Sequence, residues 1–309
     1  MTIDRERKIV TVREAGIRVD VFIHQACPAL SRHMSARLIR EGGVLINGHP
    51  AKKGQLLAEG DCVALPAQTA AAPEVIPEPD LPLEILFQNE NALVVNKPAG
   101  MNMYPLKSGE TGTLANALLG HFPELAGTGF SWREPGLLHR LDRETSGAVL
   151  IAKNKAAFEF FRRQFAARLV EKIYLAVVRG RPPAQGVIDL PLKKTGPRGA
   201  RMAVAPPNTP AASAAQTIFK VREYHTDFAI CEVTIPTGVR HQIRVHLAHL
   251  GFPIAGDKLY GLTGAETDPS PSRHLLHAWK ISFTDPSGGK RITVICEPPG
   301  EFLAFWNSL

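Results

Sequence analysis

The sequence predicts an α+β protein in which a small N-terminal domain precedes a larger domain built mainly on antiparallel strands. Its 309 residues correspond to about two domains. Five prolines between residues 66 and 83 exclude a continuous helix or a central strand there. Beyond them strand-like segments dominate, and those at 217–224 and 228–235 are joined by a turn too short for a parallel crossover. We therefore predict domains at 1–66 and 84–309, joined by an acidic, Pro/Ala-rich linker at 67–83.

The N-terminal domain combines a predicted helix with short strands. Ser31 is a suitable N-cap, and the helix would run to about residue 41, just before two glycines. Apolar runs at 44–46 and 62–65 are bounded by the tight turns Asn47-Gly48 and Gly60-Asp61. This alternation indicates a small domain with one helix packed on short strands.

The larger domain shows both strand and helix periodicity. We predict strands at residues 93–96, 148–152, 173–178, 217–224, 228–235 and 291–296. We predict helices at residues 113–121, 155–168 and 240–250. The Pro/Ala-rich segment 205–215 is expected to be a long surface loop, because strand-like segments flank it on both sides.

Composition and charge narrow the class of protein. The net charge is +7, with +3 on residues 1–66, −4 on 67–84 and +8 on 85–309, which favours a polyanionic partner. No apolar run approaches the ~20 residues of a membrane helix, and no apolar run follows the charged N-terminus. We therefore expect a cytoplasmic protein without a membrane partner. Reduced thiols are expected at Cys27, Cys62, Cys231 and Cys296.

A polar turn before a buried strand is the first candidate for chemistry. Residues 136–147 read Gly-Leu-Leu-His-Arg-Leu-Asp-Arg-Glu-Thr-Ser-Gly and lead into the apolar strand. Arg140 and Arg143 flank Asp142, and their positive charge favours the ionised carboxylate that a nucleophile needs. The alternative is that Asp142 only organises the turn.

The predicted helix at 240–250 supplies a second group of polar residues. Arg240 and Arg244 share one of its faces, which is either part of a site or a solvated arginine stripe. A metal centre is disfavoured, because the available imidazoles do not share a face and no nearby carboxylate would orient them. Those imidazoles belong to His241, His246 and His249.

A tyrosine in a predicted strand is the third candidate. Tyr174 shares a strand face with Lys172 and Ala176. It is either a core residue or a flat stacking partner for a nucleobase.

In combination, these segments resemble the motifs of the RluA-type pseudouridine synthases. They contain His-Arg-Leu-Asp-x-x-Thr-Ser-Gly at 139–147, Lys-x-Tyr at 172–174 and His-Gln-Ile-Arg-x-His at 241–246. The runs Val-Val-Asn-Lys-Pro-Ala-Gly at 94–100 and Gly-Asp-x-Leu-Tyr-Gly at 256–261 match further family segments. The resemblance covers residues 84–300, most of the larger domain.

The N-terminal part is similar to the alpha-L RNA-binding domain of a small-subunit ribosomal protein. The similarity rests on Ser31-Arg32, Arg37-Leu38-Ile39 and Val44-x-Ile46-Asn47-Gly48. Members of the family that act on large ribosomal RNA often carry this domain in front of the catalytic one.

The resemblance implies a fold, a reaction and a set of site residues. The fold is a long antiparallel sheet with a central cleft, and the reaction isomerises uridines in structured RNA to pseudouridine without a metal, redox cofactor or ATP. Asp142 would be the catalytic aspartate, Tyr174 would pack against the target base, and Arg244 would ion-pair with Asp142. Arg140 lies where family members insert an arginine into the gap left by the flipped nucleotide. Further substrate-binding candidates are His139, Arg143, Thr145, Lys97, Arg240, His241 and Gln242. RNA-binding candidates in the N-terminal domain are Arg32, Arg37, Arg40, Asn47, Lys52 and Lys53.

The sequence departs from the family pattern at three places. Residues 238–242 read Gly-Val-Arg-His-Gln where Gly-Arg-x-His-Gln is usual, and residues 101–105 read Met-Asn-Met-Tyr-Pro where many members carry Val-Val-His-Pro. The loop at 205–215 is also unusually rich in Ala and Pro. The last two changes lie where substrate selection could differ.

Several alternatives stay open at this stage. The RNA could be large-subunit rRNA, which the N-terminal domain favours, or tRNA. Asp142 could attack C1′, attack C6 or remove the proton at C2′. A non-catalytic RNA-binding or ribosome-assembly factor is disfavoured by the joint presence of Asp142, Tyr174 and Arg244. A nucleoside hydrolase or glycosidase would need a second carboxylate placed apart from the first, which Glu144 does not offer. The lack of a coiled-coil pattern favours a monomer.

Overall fold

A computed structural model describes residues 7–27, 32–66, 75–107, 109–261 and 271–309. The chain divides into two compact units, Met1–Glu74 and Val75–Leu309. Residues 75–83 of the predicted linker therefore belong to the second unit. Val75 is buried in its core, and the backbone N–H of Glu78 donates to the carbonyl of Asn116 at 3.0 Å. The prolines exclude a helix there, but they allow extended chain to pack on the unit.

The first unit is a four-stranded antiparallel sheet with two helices. Its strands are β1 (Arg7–Thr11), β2 (Leu45–Ile46), β3 (His49–Pro50) and β4 (Cys62–Pro66), in the spatial order β1-β4-β2-β3. Its helices are α1 (Val19–Ala26) and α2 (Arg32–Arg40). The structure confirms the predicted helix α2 and the short strands, and it adds α1, whose residues Val19 and Ile23 are buried in the core of the unit.

The second unit is built on a nine-stranded sheet. Eight strands follow the spatial order β5-β6-β7-β14-β8-β13-β12-β9, and β15 pairs with β14. Their ranges are β5 (Glu84–Gln88), β6 (Ala92–Lys97), β7 (Ser146–Ala152), β8 (Glu171–Arg179), β9 (Gln185–Asp189), β12 (Gln216–Tyr224), β13 (Phe228–Thr234), β14 (Leu276–Thr284) and β15 (Arg291–Ile295). A separate hairpin consists of β10 (Leu192–Thr195) and β11 (Arg201–Val204). The helices are α3 (Leu114–His121), α4 (Lys155–Ala166), α5 (Gln242–His249) and α6 (Gly300–Asn307).

The sheet confirms the predicted α+β class. Its strand pairs are antiparallel except for β7 and β14, which run parallel. Gly147 lies at this parallel contact with a φ of 118°, and a Cβ on it would collide with the backbone of Ala278. The glycine that ends the 139–147 motif is therefore required by close strand packing.

The predicted set omits strands β5, β9, β10 and β11 and helix α6 of the second unit, and two further elements also differ from their sequence predictions. Strand β14 is absent from the predicted set, because His277 and Lys280 interrupt its apolar pattern; in the structure the His277 ring is buried and hydrogen-bonds Ser146 Oγ at 2.9 Å. The helix predicted at 240–250 begins only at Gln242, because His241 has a left-handed backbone with a φ of 56°. Residues 205–215 form the expected loop between β11 and β12.

No disulfide joins any of the four cysteines, all of which lie within the described residues. Within the described ranges, no helix has the length and apolar character that crossing a bilayer requires.

Candidate active site

The three predicted catalytic residues meet in one pocket of about 480 Å³. Asp142 lies in the loop before β7, Tyr174 on β8 and Arg244 on α5. Strand β14 lies between β7 and β8, so the loop and β8 are close in space although 32 positions separate Asp142 from Tyr174 in the sequence. Helix α5 follows β13, the other neighbour of β8. The sheet order therefore assembles the site.

Arg244 bridges two carboxylates. Its Nη1 donates to Asp142 Oδ2 at 2.9 Å, while Nε and Nη2 donate to the two oxygens of Asp257 at 2.7 and 2.9 Å. The Asp257 side chain is inaccessible to solvent, and its Oδ1 also accepts from the backbone N–H groups of Leu259 and Tyr260. Asp257 thus fixes the guanidinium plane, and that plane fixes one oxygen of Asp142.

The buried ion pair also sets the charge of its members. Burial alone would raise the pKa of Asp257, but the hydrogen bonds and charge of Arg244 outweigh it, so the pKa lies below its ordinary value. Burial would lower the pKa of Arg244, but Asp257 and Asp142 raise it above the ordinary value. Arg244 is therefore a permanent cation beside Asp142.

Tyr174 forms part of the pocket wall next to Asp142. Its side chain is buried, and Ile235 and Leu276 line the pocket with it. Burial, together with the charge of Asp142, raises the pKa of Tyr174 far above its usual range, so the phenol is neutral. An apolar wall with a flat ring suits a nucleobase, while Asp142 remains partly open, with 18% of its side chain exposed.

His241 approaches Asp142 from the other side. Its Nε2 lies 3.8 Å from Asp142 Oδ1, and its Nδ1 is 2.7 Å from the hydroxyl of Tyr260. That hydroxyl also accepts from the backbone N–H of Met202 at 2.9 Å. Burial lowers the pKa of His241 despite the nearby carboxylate, so the ring is neutral at pH 7.

Several predicted substrate-binding residues line the pocket but are engaged by the protein. His139 Nε2 accepts from the backbone N–H of Leu150 at 2.9 Å, and burial lowers the pKa of His139 to about 3. Thr145 Oγ1 lies 2.9 Å from His274 Nε2. These contacts attach the 139–145 loop to β7 and to the segment just before β14, so they position Asp142.

Gln242 and Arg240 organise the turn into α5. Gln242 Oε1 accepts from Thr237 Oγ1 and from the backbone N–H of Val239, and its amide nitrogen donates to two groups on β12. The Arg240 guanidinium donates to the carbonyls of Gly199 and Ala200 in the β10–β11 hairpin. Gln242 therefore uses its hydrogen-bonding capacity within the protein.

Lys97 and Arg143 do not line the pocket. Lys97 is fully buried, and its ammonium donates to the carbonyls of Pro98, Met101 and Arg143 at 2.8, 3.0 and 3.1 Å. Burial lowers the pKa of Lys97 to about 7. With all three donors used, Lys97 anchors the catalytic loop and has none left for RNA. Arg143 is exposed and donates to Gly100 O at 2.8 Å.

The N-terminal candidates form no described pocket. Arg40, Lys52 and Lys53 are exposed, whereas Asn47 shapes a turn by accepting from Cys62 N at 2.8 Å and donating to Asp61 at 2.7 Å. The side chains of Arg32 and Arg37 lie outside the described part of the structure, as does Ser31.

Asp257 and Tyr260 are site residues to which sequence reasoning assigned no role. They belong to the Gly-Asp-x-Leu-Tyr-Gly segment at 256–261, so the motif located them without showing what they contact. Among the described residues, no cluster of three His, Cys, Asp or Glu side chains could hold a metal.

Comparisons with known proteins identify the family. A family model described as RNA pseudouridylate synthase matches residues 91–249, and an S4 domain model matches residues 17–63. An "Uncharacterized RNA pseudouridine synthase" of Chloroflexus aurantiacus is 38% identical over 290 residues, covering 93% of this chain and 89% of that protein. A "Ribosomal large subunit pseudouridine synthase D" of Nitrosomonas europaea is 34% identical over 302 residues, covering 96% and 85%.

Solved structures of proteins named for the RNA pseudouridylate synthase domain also match this chain. The human RNA Pseudouridylate Synthase Domain Containing 1 matches with a TM-score of 0.57 and 28% identity, over 72% of this chain and 86% of that one. The fold and the pocket thus define an RNA-modifying isomerase preceded by an S4 domain. The chain belongs to the RNA pseudouridine synthase family, as its motifs predicted.

Proposed function

We propose that this protein isomerises specific uridines of large-subunit ribosomal RNA to pseudouridine, with Asp142 as the catalytic carboxylate. The observation that carries the proposal is the position of Asp142 in the pocket. One oxygen is held by Arg244 at 2.9 Å, while part of the side chain stays accessible beside Tyr174. An oriented, charged and reachable carboxylate is what a nucleophile or a base requires.

The reaction breaks the N1–C1′ bond of a uridine, turns the base and joins C5 to C1′. Asp142 can serve by attacking C1′, by attacking C6 or by removing the C2′ proton. In each case Arg244 keeps its orientation, and the neutral Tyr174 ring packs against the base. The uridine must leave its stack to reach the pocket, at a cost of a few kcal/mol in a duplex and less in a loop.

The set of carboxylates argues against hydrolysis. Among the described residues that line the pocket, Asp142 is the one carboxylate. Glycosidases commonly use two, roughly 5–10 Å apart, so that one can activate water. The nearest acid in sequence, Glu144, lies outside the pocket lining and is 3.8 Å from the Arg143 guanidinium. Isomerisation needs no activated water and fits a single carboxylate.

The choice of RNA rests on relatives and on charge. Relatives 33–34% identical from Nitrosomonas, Xanthomonas and Neisseria are named for the ribosomal large subunit. The S4 domain at residues 17–63 carries the exposed Arg40, Lys52 and Lys53, which suit phosphate contacts. These observations favour rRNA over tRNA.

A tritium-release assay tests the reaction. RNA labelled with tritium at uridine C5 must lose the label to water when C5 bonds to C1′, whereas hydrolysis would release labelled free uracil. With large-subunit rRNA lacking modification, we expect tritiated water from the wild type and none from Asp142→Asn. Unmodified tRNA serves as the second substrate, and faster release from it would reverse the assignment of the RNA. Release of free uracil, or full activity of Asp142→Asn, would refute the mechanism.

A further inference from the structure

Beside the pocket, two arginines and two aromatic rings form a continuous track. Arg140 lines the pocket, donates from Nη1 to the Tyr104 hydroxyl at 2.7 Å, and places its guanidinium carbon 5.5 Å from the Tyr104 ring centre. The Arg133 guanidinium carbon lies 5.6 Å from the Tyr104 ring centre and 5.7 Å from the Trp132 ring centre. We call Arg140, Tyr104, Arg133 and Trp132 the aromatic–arginine track. Arg140 lines the pocket, whereas the other three residues lie outside its lining.

The rings of the track are anchored, while its surface is accessible. Tyr104 and Trp132 are half-buried and pack against the main core of the second unit. Arg133 is half-buried and Arg140 is exposed. Because these rings pack against the core, they lose little conformational entropy when a ligand stacks on them, which favours binding.

The charge of the track is not neutralised within the described residues. Neither Arg133 nor Arg140 forms an ion pair with a carboxylate there, so each guanidinium is held by π faces or by a phenol. A similar contact elsewhere in the unit differs: Arg222 lies 4.5 Å from the Trp279 ring but also pairs with Glu232 at 3.3 Å. The track therefore combines flat surfaces with free positive charge.

We propose that the aromatic–arginine track binds an unpaired nucleotide next to the target uridine. Its base would stack on Trp132 and the Arg133 guanidinium plane, and its phosphate would be neutralised by the arginines. A neighbour inside a helix has its faces covered by adjacent bases, so the track would select targets in single-stranded loops. This inference rests on the proposed function and specifies the kind of RNA segment the site accepts.

Binding of two probes of equal charge tests the stacking. One is a 12-nucleotide oligouridylate, and the other is the same chain with the bases removed. Base stacking predicts that Trp132→Ala lowers the preference of the protein for the oligouridylate by about tenfold, and that Trp132→Phe retains most of it. Arg133→Ala should weaken binding of both probes and lower the slope of log affinity against log salt by about 0.7 for each phosphate that Arg133 neutralises.

A matched control uses a cation–π pair outside the pocket lining. Tyr224 is 38% exposed, and its ring centre lies 4.8 Å from the Arg181 guanidinium carbon. Tyr224→Ala should leave the preference unchanged. The proposal is overturned if Trp132→Ala keeps the wild-type preference, or if Tyr224→Ala loses it equally. Circular dichroism of every variant separates these outcomes from misfolding.

Turnover separates this inference from the proposed function. With tritium-labelled large-subunit rRNA, Trp132→Ala should raise KM about tenfold and leave kcat within about twofold, while Asp142→Asn abolishes kcat. If the wild type releases no tritium but Trp132→Ala still loses the oligouridylate preference, the proposed function fails and the track stands. If the wild type is active and Trp132→Ala matches it in KM and in probe preference, only the track fails.

Discussion

Replacing Arg244 with methionine tests how the buried ion-pair network supports the fold. Methionine keeps much of the length and apolar volume of the arginine stem but removes the cation. The Asp257 side chain, which has no solvent exposure, then loses both guanidinium hydrogen bonds, and Asp142 loses one. The two backbone N–H groups that reach Asp257 remain.

The expected loss is about 4 kcal/mol in the free energy of unfolding. Three charge-assisted hydrogen bonds at roughly 1.5–3 kcal/mol each give an upper bound, since the guanidinium also regains hydration when the protein unfolds. Breaking a buried pair by removing one partner typically costs about 3–5 kcal/mol, because an uncompensated charge stays buried. Asp257 is that charge here.

Urea unfolding followed by circular dichroism measures the loss. Adding Asp257→Asn to Arg244→Met should recover about 1–3 kcal/mol, because the neutral amide removes the buried charge and can still accept from Leu259 N. Arg162→Met is the matched control: the Arg162 side chain is 53% exposed and pairs with Glu159, so its replacement should cost under about 1 kcal/mol. A loss below about 1 kcal/mol for Arg244→Met, or a double variant less stable than the single one, would refute the reasoning.

Three further predictions follow from the loop, the sheet and the first unit. Burial lowers the pKa of His139 from its ordinary 6.5 to about 3, so its contribution to stability is present above pH 6.5 and is lost as the pH falls. His139→Gln should flatten the decline of the free energy of unfolding at low pH. Parallel curves of unfolding free energy against pH for the variant and the wild type would contradict this. Gly147→Ala should lower the free energy of unfolding by about 1–3 kcal/mol, because the new Cβ would clash with the backbone of Ala278. An unchanged Tm in thermal unfolding would disprove this. Triple replacement of Arg40, Lys52 and Lys53 by alanine should weaken binding of unrelated RNAs alike and reduce its salt dependence; equal salt slopes would exclude them as phosphate contacts.

The sequence located residues of the pocket more completely than it located the strands of the sheet that carries them. The family resemblance singled out Asp142, Tyr174 and Arg244, and in the structure all three line one pocket. Strand β14, which joins β7 to β8, escaped prediction because a buried histidine with two protein partners resembles a polar surface residue in a periodicity pattern. The spacing of apolar residues in a sequence does not show which tertiary contacts will satisfy a buried polar side chain.

The roles of individual site residues were harder to predict than their positions. The family resemblance makes Lys97 and Gln242 substrate-binding candidates. In the structure they satisfy backbone carbonyls and turn groups within the protein. Asp257 received no role, because its function depends on a guanidinium 13 positions earlier that is already shared with Asp142.

Pseudouridine mapping in the source cell tests the central claim most directly. Total RNA is compared from cells without the gene, with the wild-type gene restored, and with Asp142→Ala restored. We expect discrete pseudouridines in large-subunit rRNA to disappear without the gene and to return only with the wild type. Identical maps in all three strains, or full restoration by Asp142→Ala, would contradict the claim that this chain isomerises uridine through Asp142.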